Sequence, residues 1–372
     1  MRINFLLINR FSERDYQRFG FELLEKEGHI IEAWDCIDLI FPHLGASIEN
    51  QTEPKFQKNL IKFKNSKQLE ERIEKLDSNS IFILIGILSE LGFLNIIKKL
   101  NKNKIRYGVV LLANLPNIKI KFLLKVFLFL KNPKILIDKV KSRLKKQGTM
   151  VSGHEIIPDF ILYSGNAVVE KINKIFSKTK NIISVPSFDY DYYFSEDKQL
   201  EVKDREYAVF IDEDNLHHPD MLYHNSESNV NPNFYLSELN KYFDRFEKNT
   251  NYKVLISGHP KANYEKKKNF FNGRKIIIKR TKELIKNSKV VLLHCSTSVS
   301  FAVLAKKPII FLSSNRYKGE YQYLIEIMSR QFGQKPIDIS RENYDITIPI
   351  LNQKFYKKYE HSYLNENGFN EN

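Results

Sequence analysis

The sequence predicts an α/β protein built from two parallel-sheet, Rossmann-like domains. Three observations carry that expectation: the length, the recurrence of short apolar runs separated by helical stretches, and one break in that rhythm. At 372 residues the chain exceeds the size at which a single hydrophobic core stops growing, so two compact domains are expected. A hydrophobic fraction of 42% and an aromatic fraction of 13%, drawn largely from 27 Phe and 19 Tyr, suffice for real cores and exclude a disordered chain.

The elements follow in order. Residues 4–8 read as a buried strand, 12–27 as a helix that Ser12 can cap, and 30–35 as a second strand. The β-α-β pattern then recurs: a strand at 81–87, a helical stretch, a strand at 107–112, a strand at 160–163, a helix at 166–176 and a strand at 182–185. Such alternation points to a mainly parallel sheet. After Val185 the rhythm stops, because Pro186-Ser187-Phe188-Asp189-Tyr190-Asp191-Tyr192-Tyr193 and the charged stretch to Arg205 show neither helical nor strand period. The junction is placed there, giving domains at 1–195 and 196–350 and a C-terminal helix or tail at 351–372. The second series comprises a strand at 207–211, a helix at 234–248 and strands at 253–256 and 275–278. A helix that Thr281 can cap comes next, then a strand at 290–295, a helix at 299–306 and a strand at 308–312.

The formal charge of +15 implies attraction to anions: nucleic acid, an anionic membrane surface, or phosphorylated and acidic sugars. No zinc-finger spacing and no RNA-recognition signature occurs, so nucleic acid is not the expected partner. Cys36 and Cys295 stand far apart in apolar runs, which suggests neither a disulfide framework nor a zinc site and fits a reducing compartment. The first ten residues lack the apolar core and cleavage site of a signal peptide. No run approaches the roughly 20 apolar residues of a membrane span. The expectation is a cytoplasmic protein, soluble or peripheral on the inner face of the membrane. Residues 118–146 interleave Phe122, Leu123, Leu124 and the apolar stretch 126–130 with many lysines. This is the pattern either of a segment lying in an anionic membrane interface or of a core helix with a solvated lysine face.

Three short motifs can carry chemistry, and each follows an apolar strand. In open parallel sheets, ligands bind in the crevice at the strands' carboxyl ends. The corner Ser296-Thr297-Ser298 precedes a helix, where unpaired N–H groups and the helix dipole suit a phosphate, although simple N-capping uses the same residues. In Gly258-His259-Pro260 the proline stiffens the turn, Gly258 permits close approach of a ligand, and His259 can donate to a phosphate oxygen. Asp212-Glu213-Asp214 offers a general base for an acceptor hydroxyl. An acidic turn, or an Asp-x-Asp metal pair with His217 or His218, is the alternative.

The order Tyr207 to Asp214, then Gly258-His259-Pro260, then His294-Cys295-Ser296-Thr297-Ser298 resembles the bacterial GT-B transferases of capsule and lipopolysaccharide assembly. More narrowly, it resembles the sialyltransferase, polysialyltransferase and ulosonic-acid (Kdo-like) transferase group. The resemblance spans roughly the C-terminal half and implies two Rossmann-like domains facing a central cleft. It implies an inverting, metal-independent glycosyltransferase that needs no cofactor, with a nucleotide sugar, here a CMP-activated ulosonic acid, as the donor substrate. The acceptor would be a surface glycan or lipid-linked glycan. The resemblance also makes His259 and Pro260 the His-Pro motif that contacts the nucleotide phosphate, and Ser296, Thr297 and Ser298 the motif that binds it. The acidic motif departs from the family pattern of two acids followed by Gly, because Asp214 stands in the glycine's place, and the base stays open between Asp212 and Glu213. A UDP-sugar transferase, a glycerophosphate or sugar-phosphate polymerase and a sugar epimerase of the same fold are the alternatives among enzymes, and a basic nucleic-acid-binding protein is the alternative outside them.

Overall fold

A computed structural model describes residues 1–7, 11–40, 54–85, 91–112, 116, 156–200, 202, 206–217, 228–260, 262–264 and 269–366. The chain divides into two compact units. The first holds Met1–Leu112, residues 156–164 and Val168–Val185; the second runs from Pro186 onward and includes Gly165–Ala167.

The first unit carries strands β1 (Arg2–Leu7), β2 (Ile30–Asp35), β3 (Leu60–Lys62), β4 (Ser80–Ile85), β5 (Arg106–Leu111), β6 (Phe160–Tyr163) and β7 (Asn181–Ser184) in the order β3-β2-β1-β4-β5-β6-β7. Every pairing is parallel. Successive side chains of a strand point to opposite faces. Leu6 accordingly joins a cluster with Trp34, Phe82 and Val109, whereas Phe5 and Leu7 join another with Phe11, Phe21 and Ala33. Both faces are thus covered, as a parallel sheet requires.

The second unit repeats the plan with β8 (Tyr207–Ile211), β9 (Lys253–Gly258), β10 (Ile276–Ile278), β11 (Val290–Leu293), β12 (Ile309–Ser313) and β13 (Ile337–Asp338), ordered β10-β9-β8-β11-β12-β13 and all parallel. β8, β11 and β12 are buried along their whole length. In each unit the chain steps outward from its first strand, then returns to start again on the other side. This is the doubly wound Rossmann order, and its reversal leaves a crevice between β8 and β11 at their carboxyl ends. The α/β class and the two Rossmann-like units expected from the sequence are both present.

Several boundaries differ from the sequence reading. The helix expected over 12–27 is two, Glu13–Arg18 and Phe21–Lys26, because Gly20 between them takes a left-handed φ of 65°. Ser12 caps the first in a reciprocal capping box with Asp15. Thr281 begins the helix Thr281–Asn287 but does not cap it; its hydroxyl pairs with that of Ser257 at 2.8 Å. The short edge strands β3 and β13 carry too few residues to show a period. The stretch read as aperiodic after Val185 contains the helix Phe188–Phe194. Ser187 caps it by accepting from the Tyr190 N–H at 3.2 Å. This helix belongs to the second unit, whereas the limit at 195 leaves it with the first. The C-terminal residues form the helix Gln353–Tyr359 and a π-helical turn Glu360–Leu364. Tyr356, Tyr359, Tyr363 and Leu364 bury themselves in the second unit's core.

No helix among the described residues is long and apolar enough to cross a membrane. The basic segment 118–146 lies outside the described residues.

Candidate functional site

The three motifs lie at the carboxyl ends of β8, β9 and β11, neighbouring strands of one sheet. Two of these strands flank the topological reversal. The acidic loop is hydrogen-bonded to Cys295, beside the Ser/Thr corner, and through Tyr264 to His259, so residues far apart in the chain are brought together.

Asp212 follows β8 and is only 6% exposed. Its N–H donates to the Ser257 carbonyl at 3.0 Å, and its Oδ1 accepts from the Asp214 N–H at 3.0 Å. Oδ2 accepts from the Tyr264 hydroxyl at 2.6 Å, and that hydroxyl oxygen accepts in turn from the His259 N–H at 2.6 Å. The carboxylate therefore anchors the His259 loop through Tyr264. Gly258 completes this arrangement: a Cβ there would stand 2.8 Å from the Tyr264 ring and 3.0 Å from Ile276. The space that the sequence reading reserved for a ligand is occupied by Tyr264. His259 is half-buried and Pro260 exposed.

Glu213 is oriented differently. Its Oε1 accepts from the Cys295 N–H at 2.7 Å and its Oε2 from the Tyr321 hydroxyl at 3.0 Å. Burial pushes its pKa up from 4.5 to about 7; the Cys295 N–H and Tyr321 oppose the rise and the neighbouring Asp212 charge adds to it. The side chain keeps partial exposure. Asp214, the residue in the glycine position, adopts φ 50°, and its carboxylate lies 3.9 Å from His217 Nδ1. Among the described residues, no group of three His, Cys, Asp or Glu is placed to hold a metal.

The Ser296-Thr297-Ser298 corner is a tight turn. The carbonyls of Ser296, Thr297 and Ser298 accept from the N–H groups of Val299, Ser300 and Phe301 at 3.2, 3.1 and 3.1 Å. Ser296 Oγ accepts from the Ser298 N–H at 3.3 Å, and Ser298, the N-cap residue, makes no side-chain cap bond. The helix that follows, Val299–Leu304, has 6 residues, so its dipole is short. Thr297 is exposed, and Ser296 and Ser298 are half-buried.

A polar chain behind Glu213 went unnoticed in the sequence. His294, fully buried at 0% exposure, has Nδ1 2.7 Å from the Leu312 carbonyl and Nε2 3.2 Å from the Tyr235 hydroxyl. Burial lowers its pKa from 6.5 to about 4, which keeps the ring neutral. Asn215 Nδ2 donates to the Tyr321 oxygen at 2.6 Å and lies 3.3 Å from that of Tyr235. Tyr264 and Tyr321 stand 52 and 108 residues from the carboxylates they meet. No spacing rule covers such separations; the only available signal was that a tyrosine buried near a carboxylate needs a partner for its hydroxyl.

No protein-family model matches the chain, and no curated protein matches it. Solved structures do. The chain is similar to the S. aureus MnaA–UDP co-structure, at 11% identity and a TM-score of 0.47, over 84% of this chain and 79% of that one. It is similar to the UDP-GlcNAc 2-epimerase from Methanocaldococcus jannaschii, at 14% identity and a TM-score of 0.45, over 96% of this chain and 98% of that one. It is also similar to the spinosyn rhamnosyltransferase SpnG complexed with thymidine diphosphate, at 9% identity and a TM-score of 0.45, over 89% and 84% of the two chains. The likeness is one of fold, which the strand orders establish independently.

Proposed function

We propose that the protein is a nucleotide-sugar enzyme of the GT-B kind, and specifically an inverting glycosyltransferase with Glu213 as its general base. One observation carries the reading: at the reversal point of the second sheet, the acidic loop is hydrogen-bonded both to Cys295, beside the Ser/Thr corner, and through Tyr264 to His259. A base works best when its pKa lies near the operating pH, and Glu213, at about 7, meets that condition. Asp212 is assigned the positioning of the His259 loop. In the reaction the acceptor hydroxyl oxygen attacks the anomeric carbon as its proton passes to Glu213. The bond from that carbon to the phosphate oxygen breaks, and its electron pair leaves with the nucleotide. The His259 side chain and the corner at Ser296, Thr297 and Ser298 receive the developing phosphate charge, so the chemical step calls for no divalent cation.

The CMP-ulosonic acid expected from the resemblance draws no support from the compared structures, two of which hold UDP and thymidine diphosphate. The proposal therefore stays at the level of a nucleotide sugar. A base of raised pKa also suits abstraction of a carbon-bound proton, the task of an epimerase, and solvent-deuterium incorporation into the recovered nucleotide sugar distinguishes that outcome.

The test is a panel of UDP, TDP and CMP sugars, read by thermal stabilisation and then by turnover in the presence of a chelator. Ligand at 100 times its Kd stabilises by about 2.7 kcal/mol. Glu213→Gln is expected to bind nucleotide yet lose about 10²–10⁴-fold in turnover, together with the rising limb of the pH profile near 7. His259→Ala is expected to weaken nucleotide binding. Stabilisation by none of the panel, or full turnover in Glu213→Gln, would overturn the assignment.

A further inference from the structure

The polar chain behind Glu213 has a direction that can be worked out bond by bond. A carbonyl oxygen can only accept, so the 2.7 Å contact between the Leu312 carbonyl and His294 Nδ1 places the proton on Nδ1. The ring is neutral, which leaves Nε2 an acceptor. The Tyr235 hydroxyl, 3.2 Å away, must therefore donate to Nε2, and its oxygen is left to accept from Asn215 Nδ2 at 3.3 Å. The same amide donates to the Tyr321 oxygen at 2.6 Å. That phenol's own proton then has Glu213 Oε2, 3.0 Å away, as its acceptor. The other carboxylate oxygen already accepts from the Cys295 N–H at 2.7 Å.

The donors diverge from the Asn215 amide, one branch running through Tyr321 to Glu213 and the other through Tyr235 and His294 to the Leu312 carbonyl, and the first branch is consistent with an ionised Glu213. A proton on Oε2 would deprive the Tyr321 hydroxyl of this acceptor. Hydrogen bonds in such a chain polarise one another, so a donor that itself accepts is a stronger donor. Asn215, Tyr235 and Tyr321 are nearly or fully buried, which removes water as a substitute partner.

We propose that Tyr321 and Asn215 are positioning residues for Glu213: a two-step donor relay, from the Asn215 amide to the Tyr321 hydroxyl to Oε2, that orients the carboxylate and holds it as an acceptor, while Tyr235, held by His294, takes the second hydrogen of the amide. The inference rests on the assignment of Glu213 as base for its functional meaning, but not for its physical content. The titratable groups facing Glu213 are Asp212 on its own loop, His294 and Cys295 after β11, Tyr235 on the helix Pro232–Thr250, Tyr317 just ahead of the helix Gly319–Gln331, and Tyr321 within it. None of these is Lys or Arg, so the carboxylate's charge is sustained by hydrogen bonds rather than by a cation.

The experiment is a titration of the Glu213 carboxyl in full-length protein without substrate, by carbon NMR of glutamate-labelled material. The resonance is identified by its loss in Glu213→Gln. A hydrogen bond to a charged group is worth about 1.5–3 kcal/mol, so Tyr321→Phe is expected to raise the midpoint by roughly one to two pH units. Asn215→Leu, which removes the donor to the Tyr321 oxygen, is expected to move it the same way by less, and it serves if Tyr321→Phe does not fold. A midpoint unchanged in a folded Tyr321→Phe, or in Asn215→Leu where only that variant folds, overturns the relay. In turnover, the rising pH limb of each variant should move with the NMR midpoint while saturating activity at high pH is largely retained. If the titrations shift but Glu213→Gln keeps full turnover, the relay stands and the assignment of the base falls; the two failures are thereby distinguished.

Discussion

Asp214 shows how a single backbone angle explains a departure from a motif. The position needs a left-handed conformation, φ 50°, to turn the chain between Glu213, which faces Cys295 and Tyr321, and Asn215, which faces Tyr235 and Tyr321. Glycine adopts that conformation freely, whereas an L-residue pays roughly 1–2 kcal/mol, and Asp is among those that tolerate it because its short side chain bonds locally. Asp214→Gly is therefore expected to leave stability unchanged or raise it by up to about 1 kcal/mol, and Asp214→Val to lower it by more than that. Chemical denaturation of the two variants checks this, and equal stability of the pair would contradict the backbone account. Glu213 and His294 act on stability in opposite senses. Native Glu213, at about 7 against an ordinary 4.5, holds a proton that the unfolded chain has lost in that window, so acidification through it stabilises the fold. Native His294, at about 4 against 6.5, stays neutral where the unfolded chain is protonated. Its contribution, of the order of 3 kcal/mol, is thus lost as pH falls from about 6.5 to 4. The two nearly offset each other in the native protein. In Glu213→Gln the histidine's slope should emerge, as a steeper loss of stability between pH 6.5 and 4 in denaturant titrations; parallel pH curves for the two proteins would refute it.

The helix Phe188–Phe194 is the element whose existence is least evident locally. Its sequence, FDYDYYF, is composed of residues of modest or poor helix propensity, yet it forms because both ends are satisfied and one side is packed. Ser187 caps the start. At the other end the ammonium of Lys282, whose side chain is 0% exposed, donates to the carbonyls of Tyr192, Ser195 and Glu196 at 3.2, 2.9 and 3.1 Å. It also pairs with Asp197 at 3.1 Å and lies 4.7 Å from the centre of the Tyr192 ring. A cation at a helix C-terminus opposes the dipole and satisfies carbonyls that have no partner within the helix. Lys282→Met keeps the stem but takes this donor from the Ser195 and Glu196 carbonyls, while the Tyr192 carbonyl keeps its bonds from Ser195, a change expected to cost about 3 kcal/mol. Denaturation midpoints test it, and a change within about 0.5 kcal/mol, the range of an ordinary surface substitution, would show that the buried ammonium does not hold this helix.

At the scale of the whole molecule, the two units share one strand plan but differ in the loops at their strand ends. The three motif loops all belong to the second unit, at the ends of β8, β9 and β11. The rhythm of apolar runs and helical stretches was enough for the class, the two-unit division and most strand positions, because whether a strand or helix forms is written largely in local periodicity. Placing the motifs after strands was enough to group them, since parallel strands bring their carboxyl ends to one edge. The break after Val185 did not show the helix that follows it, whose cap and cation come from Ser187 and from Lys282 in another helix. The sequence by itself determined the parallel α/β plan and the set of loops that meet. Only the tertiary structure decided what each acid binds. Asp212 is bound to Tyr264 and Glu213 to Tyr321, partners 52 and 108 residues away, and a carboxylate's basicity is set by burial and by the donors around it, which no local pattern encodes.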